Sequence, residues 1–500
     1  MAHLSPLYAE HPQDVLNQWL SWRREGPVAL AVVIATAGGS VRSPGALMAV
    51  AQDGRRAGYI SGGCVDADVA LQAREAIEGG QVLTLKYGAG SPFIDMPLPC
   101  GGTIELAILP DADEADIRRC HDALCARRPA RLVLPALDRA FGYTPRLKVR
   151  IAGRGADALA LARLVEASGF ELVLQLRDGE DVEAAEAAGF ADPMPLQSPR
   201  DLPPDTDDAW TAFILMFHDA DWESALLKQA LDGDAFYVGA VGSRRTHQRR
   251  RERLQQDGVP ADRIDRVHGP VGLVPSMREA SMLAVSTLGE IIGEFRHVGT
   301  GTFAETAVLL LAAGQSQRFA GGDKLLAPLN GKPVLAHAAG ILANECTAAR
   351  ICVVGPDQPD RRAFLETEGW QVLVNPDAAS GQATSLRTGM EAVAAMPGVQ
   401  RVLILLADMP FVPEAHVQAL NDAASADVPA VMSITDNVLC PPATFARETF
   451  PRLMDISGDT GAKAVFKSLS RTATLPLPPA QAIDIDTVED LARASAASSV

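Results

Sequence analysis

The residues with the clearest chemical potential in this chain stand together: Leu311-Ala312-Ala313-Gly314-Gln315-Ser316-Gln317-Arg318-Phe319, followed by Lys324. This Gly/Ser loop follows the apolar run Val308-Leu309-Leu310 and offers backbone N–H groups and two cations to a polyphosphate. A carboxylate supplies the counterpart. The apolar run Val402 to Leu406 ends in Ala407-Asp408-Met409-Pro410, which puts Asp408 at the carboxyl end of a buried strand, where ligands bind in open α/β sheets. Mg²⁺ commonly takes one or two carboxylates together with phosphate oxygens, so Asp408 is the metal candidate. These residues predict chemistry on a nucleoside triphosphate.

The elements that must position them follow from pattern. Residues 1–110 read as strands and short helices, with the buried-strand run Ala29 to Thr36 entering Ala37-Gly38-Gly39-Ser40. A polar, arginine-containing stretch over 111–145, with a helix expected near Glu114 to Ala126, reads as a linker region. Residues 146–298 open on the strand Leu147 to Ala152, the turn Gly153-Arg154-Gly155 and a helix to Ser168. Strands and helices then alternate in a βαβ pattern through Phe213 to Met216 and Tyr237 to Val241. The Gly/Thr-rich segment 297–306 precedes a third unit over 305–500. The fold class expected is α/β, with a Rossmann-like central domain and a Rossmann-like C-terminal domain built on a mostly parallel sheet.

Five hundred residues exceed one core, and a net charge of −17 argues against a general nucleic-acid surface. The N-terminus lacks a basic segment followed by an apolar one, and no apolar run approaches a membrane span, so a cytoplasmic protein without a membrane partner is expected. Seven cysteines, with no CxxC pair, fit free thiols in a reducing compartment.

The motifs LAAGQSQRF…DKLL, NPDAASGQATSLRTGM, LLADMP, ISGDTGAK and DIDT fall in the order seen in MobA-like nucleotidyltransferases, and residues 305–500 most resemble the molybdenum cofactor cytidylyltransferase branch. The resemblance implies transfer of CMP from CTP to Mo-molybdopterin with release of pyrophosphate. Arg318 and Lys324 would hold the triphosphate, assisted by the backbone of Leu311 to Ser316, while Asp408 would hold Mg²⁺ with Asp459, and Asp484 and Asp486 as further carboxylates. Gly381, Gln382 and Ser385 resemble the stretch that contacts base and ribose, although Ser385 could equally cap the following helix. Ala312-Ala313-Gly314 resembles the cytidylyl branch, because the methyl of Ala313 would crowd a larger base.

Upstream, Gly38-Gly39-Ser40, Ser61-Gly62-Gly63-Cys64-Val65-Asp66, Leu98-Pro99-Cys100-Gly101-Gly102, His218-Asp219, Val241 to Thr246 and Gly269 to Leu273 resemble the XdhC/CoxI family of xanthine dehydrogenase accessory proteins. The resemblance implies a chaperone that binds the molybdenum cofactor and delivers it to a molybdenum hydroxylase of the xanthine dehydrogenase type. A sulfurtransferase and a second copy of the chain are further candidate partners. Cys64 and Cys100, each beside Gly-Gly, offer a thiol where backbone can approach a ligand closely. Gly153, Gly155 and Arg244 complete the candidate cofactor-binding set, whereas the arginines after Thr246 read as a solvated basic face. Gly153-x-Gly155-x-x-Ala158 is the dinucleotide fingerprint, yet Leu174-Gln175-Leu176 lacks the acidic residue that would bind a ribose and Asp178 lies late, so NAD chemistry is not expected. The alternatives are a GTP-using or other-acceptor transferase, and a non-catalytic chaperone with a degenerate transferase domain.

Overall fold

The computed structural model describes residues 6–38, 42–88, 101–296, 298, 303–316, 318–320, 322–425, 427–456, 458 and 461–497. Gly39, Ser40, Cys100 and Asp459 lie outside the described residues. The chain divides into two compact units, Met1–Arg128 with Thr144–Thr300, and Pro129–Tyr143 with Gly301–Val500.

The first unit opens with a five-stranded antiparallel sheet whose central strand, Val28–Ala37, pairs with Leu47–Ala51 on one side and Thr103–Leu109 on the other. Helix Asp66–Gly79 packs its Val69, Ala73 and Ala76 onto this sheet. Helix Glu114–Cys125 starts where the Asp113 carboxylate accepts from the amides of Ala115 and Asp116.

The same unit continues into a six-stranded parallel sheet. Its spatial order is Met194–Pro195, Glu171–Leu176, Lys148–Gly153, Thr211–Met216, Tyr237–Ala240, Val267–His268. Counted along the chain this is 3-2-1-4-5-6, the doubly wound Rossmann order. Both faces are buried under helices, which explains why Thr211–Met216 has every residue inside. Gly153 is required by packing: a Cβ there would stand 2.2 Å from the Cβ of Ala158 on helix Gly155–Ala167.

The second unit is a seven-stranded, mostly parallel sheet ordered Gln371–Val374, Ala349–Val354, Thr306–Leu311, Arg401–Leu406, Val438–Ala446, Ala430–Thr435, Thr472–Pro476. Val438–Ala446 runs antiparallel to both neighbours, and the other pairings are parallel. Thr306–Leu311 and Arg401–Leu406 are adjacent, with Leu311 opposite Leu406, so the loop and Asp408 leave the sheet at the same edge.

The stretch expected to link two units is divided between them. Its helix belongs to the first, while the hairpin Ala130–Leu134/Arg139–Tyr143 belongs to the second. Arg131 donates to the carbonyls of Ala304 (2.6 Å) and Gly398 (3.1 Å), and Arg139 Nε to Glu305 (2.6 Å). Asp138 accepts from the Gly398 amide (3.0 Å). The arginines that made this stretch look like a solvated connector are the groups that attach it.

Two outcomes follow. Gly153→Ala should lower the stability of the first unit by about 1–3 kcal/mol in denaturant unfolding, the usual cost of overpacking. Glu305→Ala should lower that of the second by about 1 kcal/mol, because Arg139 and the Ala140 amide lose their shared acceptor.

Candidate functional site

A cavity of about 400 Å³ lies at the carboxyl edge of the second unit's sheet. Leu311, Ala313, Gly314, Gln315 and Ser316 border it from the loop, and Lys324, Asp408 and Asp486 from its charged side. Gly381, Gln382 and Ser385 close it opposite, at helix Gln382–Ala394. Ala312 is turned away: it is buried in the core and contributes only its carbonyl.

Lys324 holds the centre. Its ammonium donates to Asp408 Oδ2 and Asp486 Oδ1, both at 2.7 Å, and the residue is only 7% exposed. Burial works against the charge, but Asp408 and Asp486 outweigh it and hold the ammonium above the usual lysine range. Arg318 is largely exposed, its guanidinium 3.8 Å from Asp486. The segment carrying Asp486 is brought in by the Ile485 amide, which donates to the carbonyl of Asp408 at 2.9 Å. Asp484 is pushed above the ordinary carboxylate range by burial and by the charges of Asp408 and Asp486. Asp408 and Asp486 are thus already paired with Lys324, Asp486 also lies near Arg318, and among the described residues no three acidic, histidine or cysteine side chains are grouped to hold a metal ion.

The loop is shaped from beneath by Arg361 on helix Pro359–Thr367, a residue that sequence reasoning missed. Arg361 is 2% exposed and makes five hydrogen bonds. Two go to the Asp323 carboxylate at 2.6 Å, two to the carbonyls of Ala312 and Gly314, and one to Ser316 Oγ. Gln358 adds a bond to the Gly314 carbonyl at 2.9 Å. With these carbonyls drawn toward the core, the chain turns at Ser316, whose φ is +51°. The one available signal was Asp323 beside Lys324, an acid that needed a partner.

On the opposite wall, Gly381 rather than Ser385 is the N-cap of helix Gln382–Ala394, corresponding to a φ of +112° that glycine adopts without strain. The capping role considered for Ser385 is therefore corrected: it sits one turn inside the helix, buried, and accepts from Asn375 Nδ2 at 2.9 Å.

In the first unit the candidates stand on separate elements. Cys64 is exposed in a loop organised by Asp66, whose carboxylate accepts from the amides of Ile60 (2.7 Å) and Ser61 (3.1 Å). Arg244 is exposed at the first turn of helix Arg244–Gln256. Gly153 and Gly155 flank Arg154, which pairs with Asp178 at 2.5 Å. The Gly155 amide, which a dinucleotide phosphate would approach in a Rossmann site, donates to Asp181 at 2.8 Å.

A six-stranded Rossmann sheet following a smaller antiparallel domain, and a mostly parallel sheet with a cationic loop and a strand-end aspartate, define a multidomain α/β protein whose second unit has the architecture of a nucleotidyltransferase. Family comparison agrees in all three regions. Residues 21–88 match the XdhC and CoxI family, 149–291 the XdhC Rossmann domain and 308–473 the MobA-like NTP transferase domain. The molybdenum cofactor insertion chaperone PaoD of Escherichia coli is 32% identical over 280 residues, covering 52% of this chain and 81% of that protein. The purine catabolism protein PucB of Bacillus subtilis is 30% identical over 196 residues, covering 36% and 92%. A molybdenum cofactor guanylyltransferase from Bradyrhizobium is 34% identical over 123 residues, covering 24% and 55%. The chain belongs to the XdhC and CoxI family and carries a MobA-like NTP transferase domain in the same polypeptide. Among the described residues no helix is long and apolar enough to cross a membrane.

Arg361→Met should cost about 3 kcal/mol in denaturant unfolding, as expected when the half-buried Asp323 carboxylate loses its partner and the Ala312 carbonyl its donor. Arg361→Lys should recover little of it, since an ammonium cannot span Asp323, Gly314 and Ser316 together.

Proposed function

We propose that this protein finishes the molybdenum cofactor and passes it on. The second unit transfers CMP from CTP to Mo-molybdopterin, and the first unit binds the product and delivers it to a molybdenum hydroxylase of the xanthine dehydrogenase type. The observation that carries the transfer reading is Lys324, held between Asp408 and Asp486 at the floor of a cavity bordered by the Leu311–Ser316 loop. The names of PaoD and the guanylyltransferase support the cofactor, and that of PaoD supports delivery.

In the reaction, an oxygen of the terminal phosphate of molybdopterin forms a bond to the α-phosphorus of CTP. The bond from that phosphorus to the bridging oxygen breaks, and its electron pair leaves on pyrophosphate. Lys324 and Arg318 offset the charge of the triphosphate, and the amides of Ala313 to Gln315 orient it. Arg361 holds the carbonyls of Ala312 and Gly314, away from the phosphates. Asp408 and Asp486 would hold Mg²⁺, with Asp459 as a further candidate; the ion supplies neutralisation of phosphate charge when bound. Gly381 permits close approach of the base and ribose, and Ala313 narrows the base site toward a pyrimidine.

The guanylyltransferase likeness gives GTP a specific claim as the alternative donor. Pyrophosphate release by the full-length protein with Mo-molybdopterin should be faster with CTP than with GTP, and equal or faster release with GTP would overturn the cytidylyl assignment. Asp408→Asn and Lys324→Ala should each reduce release by about a hundredfold, the scale of losing one charge-stabilising group. EDTA should abolish it and Mg²⁺ restore it.

A further inference from the structure

We propose that a groove between helices Ala220–Asp232 and Arg244–Gln256 of the first unit is a binding site for a phosphoryl anion. This goes beyond the transfer reading and stands whichever nucleotide is the donor. The groove encloses about 320 Å³. One wall carries His218, Asp219 and Ser224, at and just after the start of the first helix. The other carries Thr246, Arg249, Arg250 and Arg253, spaced to share one helix face. The arginine run that reads from sequence as a solvated face therefore lines a cavity.

Two features make the cavity selective for an anion. Arg250, which lines the groove, is 4% exposed and donates to Glu223 (3.1 Å) and to the Val241 carbonyl (3.0 Å), while its Nη1 has no hydrogen-bond partner among the described residues. A buried N–H without an acceptor is costly, and a ligand oxygen would relieve that cost. Cations also outnumber carboxylates around the groove. Glu223 pairs with Arg250, Asp257 with Arg253 and Lys228, and Asp219 with Arg177, while exposed Arg249 has no carboxylate partner among the described residues. Asp219 also accepts from the amides of Asp221 and Trp222, so its charge is partly spent within the wall. At the adjoining strand end the Gly155 amide is already taken by Asp181.

A phosphoryl group reaches such a site either as a free inorganic ion or as part of a phosphate ester, and titration calorimetry separates the two. The full-length chain carrying Lys324→Ala and Asp408→Asn, which silences the transferase cavity, is titrated with pyrophosphate, orthophosphate and CMP. At least one of the three should bind at a single site. Adding Arg249→Ala should weaken that binding about tenfold, Arg249→Glu should remove it, and Arg249→Lys should keep most of it. Tighter binding of CMP would assign the groove to esters, and tighter binding of the inorganic ions to free phosphate. Arg249 is exposed and has no carboxylate partner among the described residues, so an unchanged melting temperature will confirm that these variants fold. Absence of binding for all three probes, or affinity indifferent to Arg249→Glu, would overturn the proposal.

Discussion

The second unit depends on one buried guanidinium. Among the described residues the loop after Thr306–Leu311 lies outside any strand or helix, so its carbonyls need partners from elsewhere. Arg361 gathers those of Ala312 and Gly314, and Asp323 balances the charge that this requires inside the protein. Because Lys324 follows Asp323 directly, the pairing that shapes the loop also fixes where the ammonium begins. Packing and chemistry are joined through two adjacent residues of opposite charge.

The first unit shows the opposite use of a similar architecture. Its sheet has the strand order of a dinucleotide-binding protein and the close helix–strand contact for which Gly153 is needed. The polar groups at its crevice are nevertheless committed internally, Gly155 to Asp181 and Arg154 to Asp178. A shared fold thus carries over the backbone geometry while the hydrogen bonding at the strand ends is this chain's own.

Legibility in the sequence followed the range of the interaction. Buried strands such as Thr306–Leu311 and Arg401–Leu406 were visible as apolar runs, and helix Glu114–Cys125 through its periodicity, because these signals are local. Lys324, Asp408 and Asp486 could be singled out by motif, but the 2.7 Å contacts among them join positions far apart in the chain. Arg361 was missed because nothing within its own helix marks an arginine that is 2% exposed, and its partners lie 38 to 49 residues earlier. Only the capping role considered for Ser385 failed, and for a local reason: Gly381 can adopt the backbone angles that start the helix one turn sooner.

The hairpin Ala130–Tyr143 has a consequence for how the second unit is laid out along the chain. Its residues are encoded well before the second unit, yet Arg131, Asp138 and Arg139 are bonded to that unit's Ala304, Gly398 and Glu305. Cleavage of the backbone near residue 300 would not set the pieces free, because the upstream fragment would still hold the downstream one through these bonds. The second unit is in this sense stitched from two stretches of the chain rather than strung on a leash: a gene split at that point would put the hairpin and the residues it is bonded to on different polypeptides.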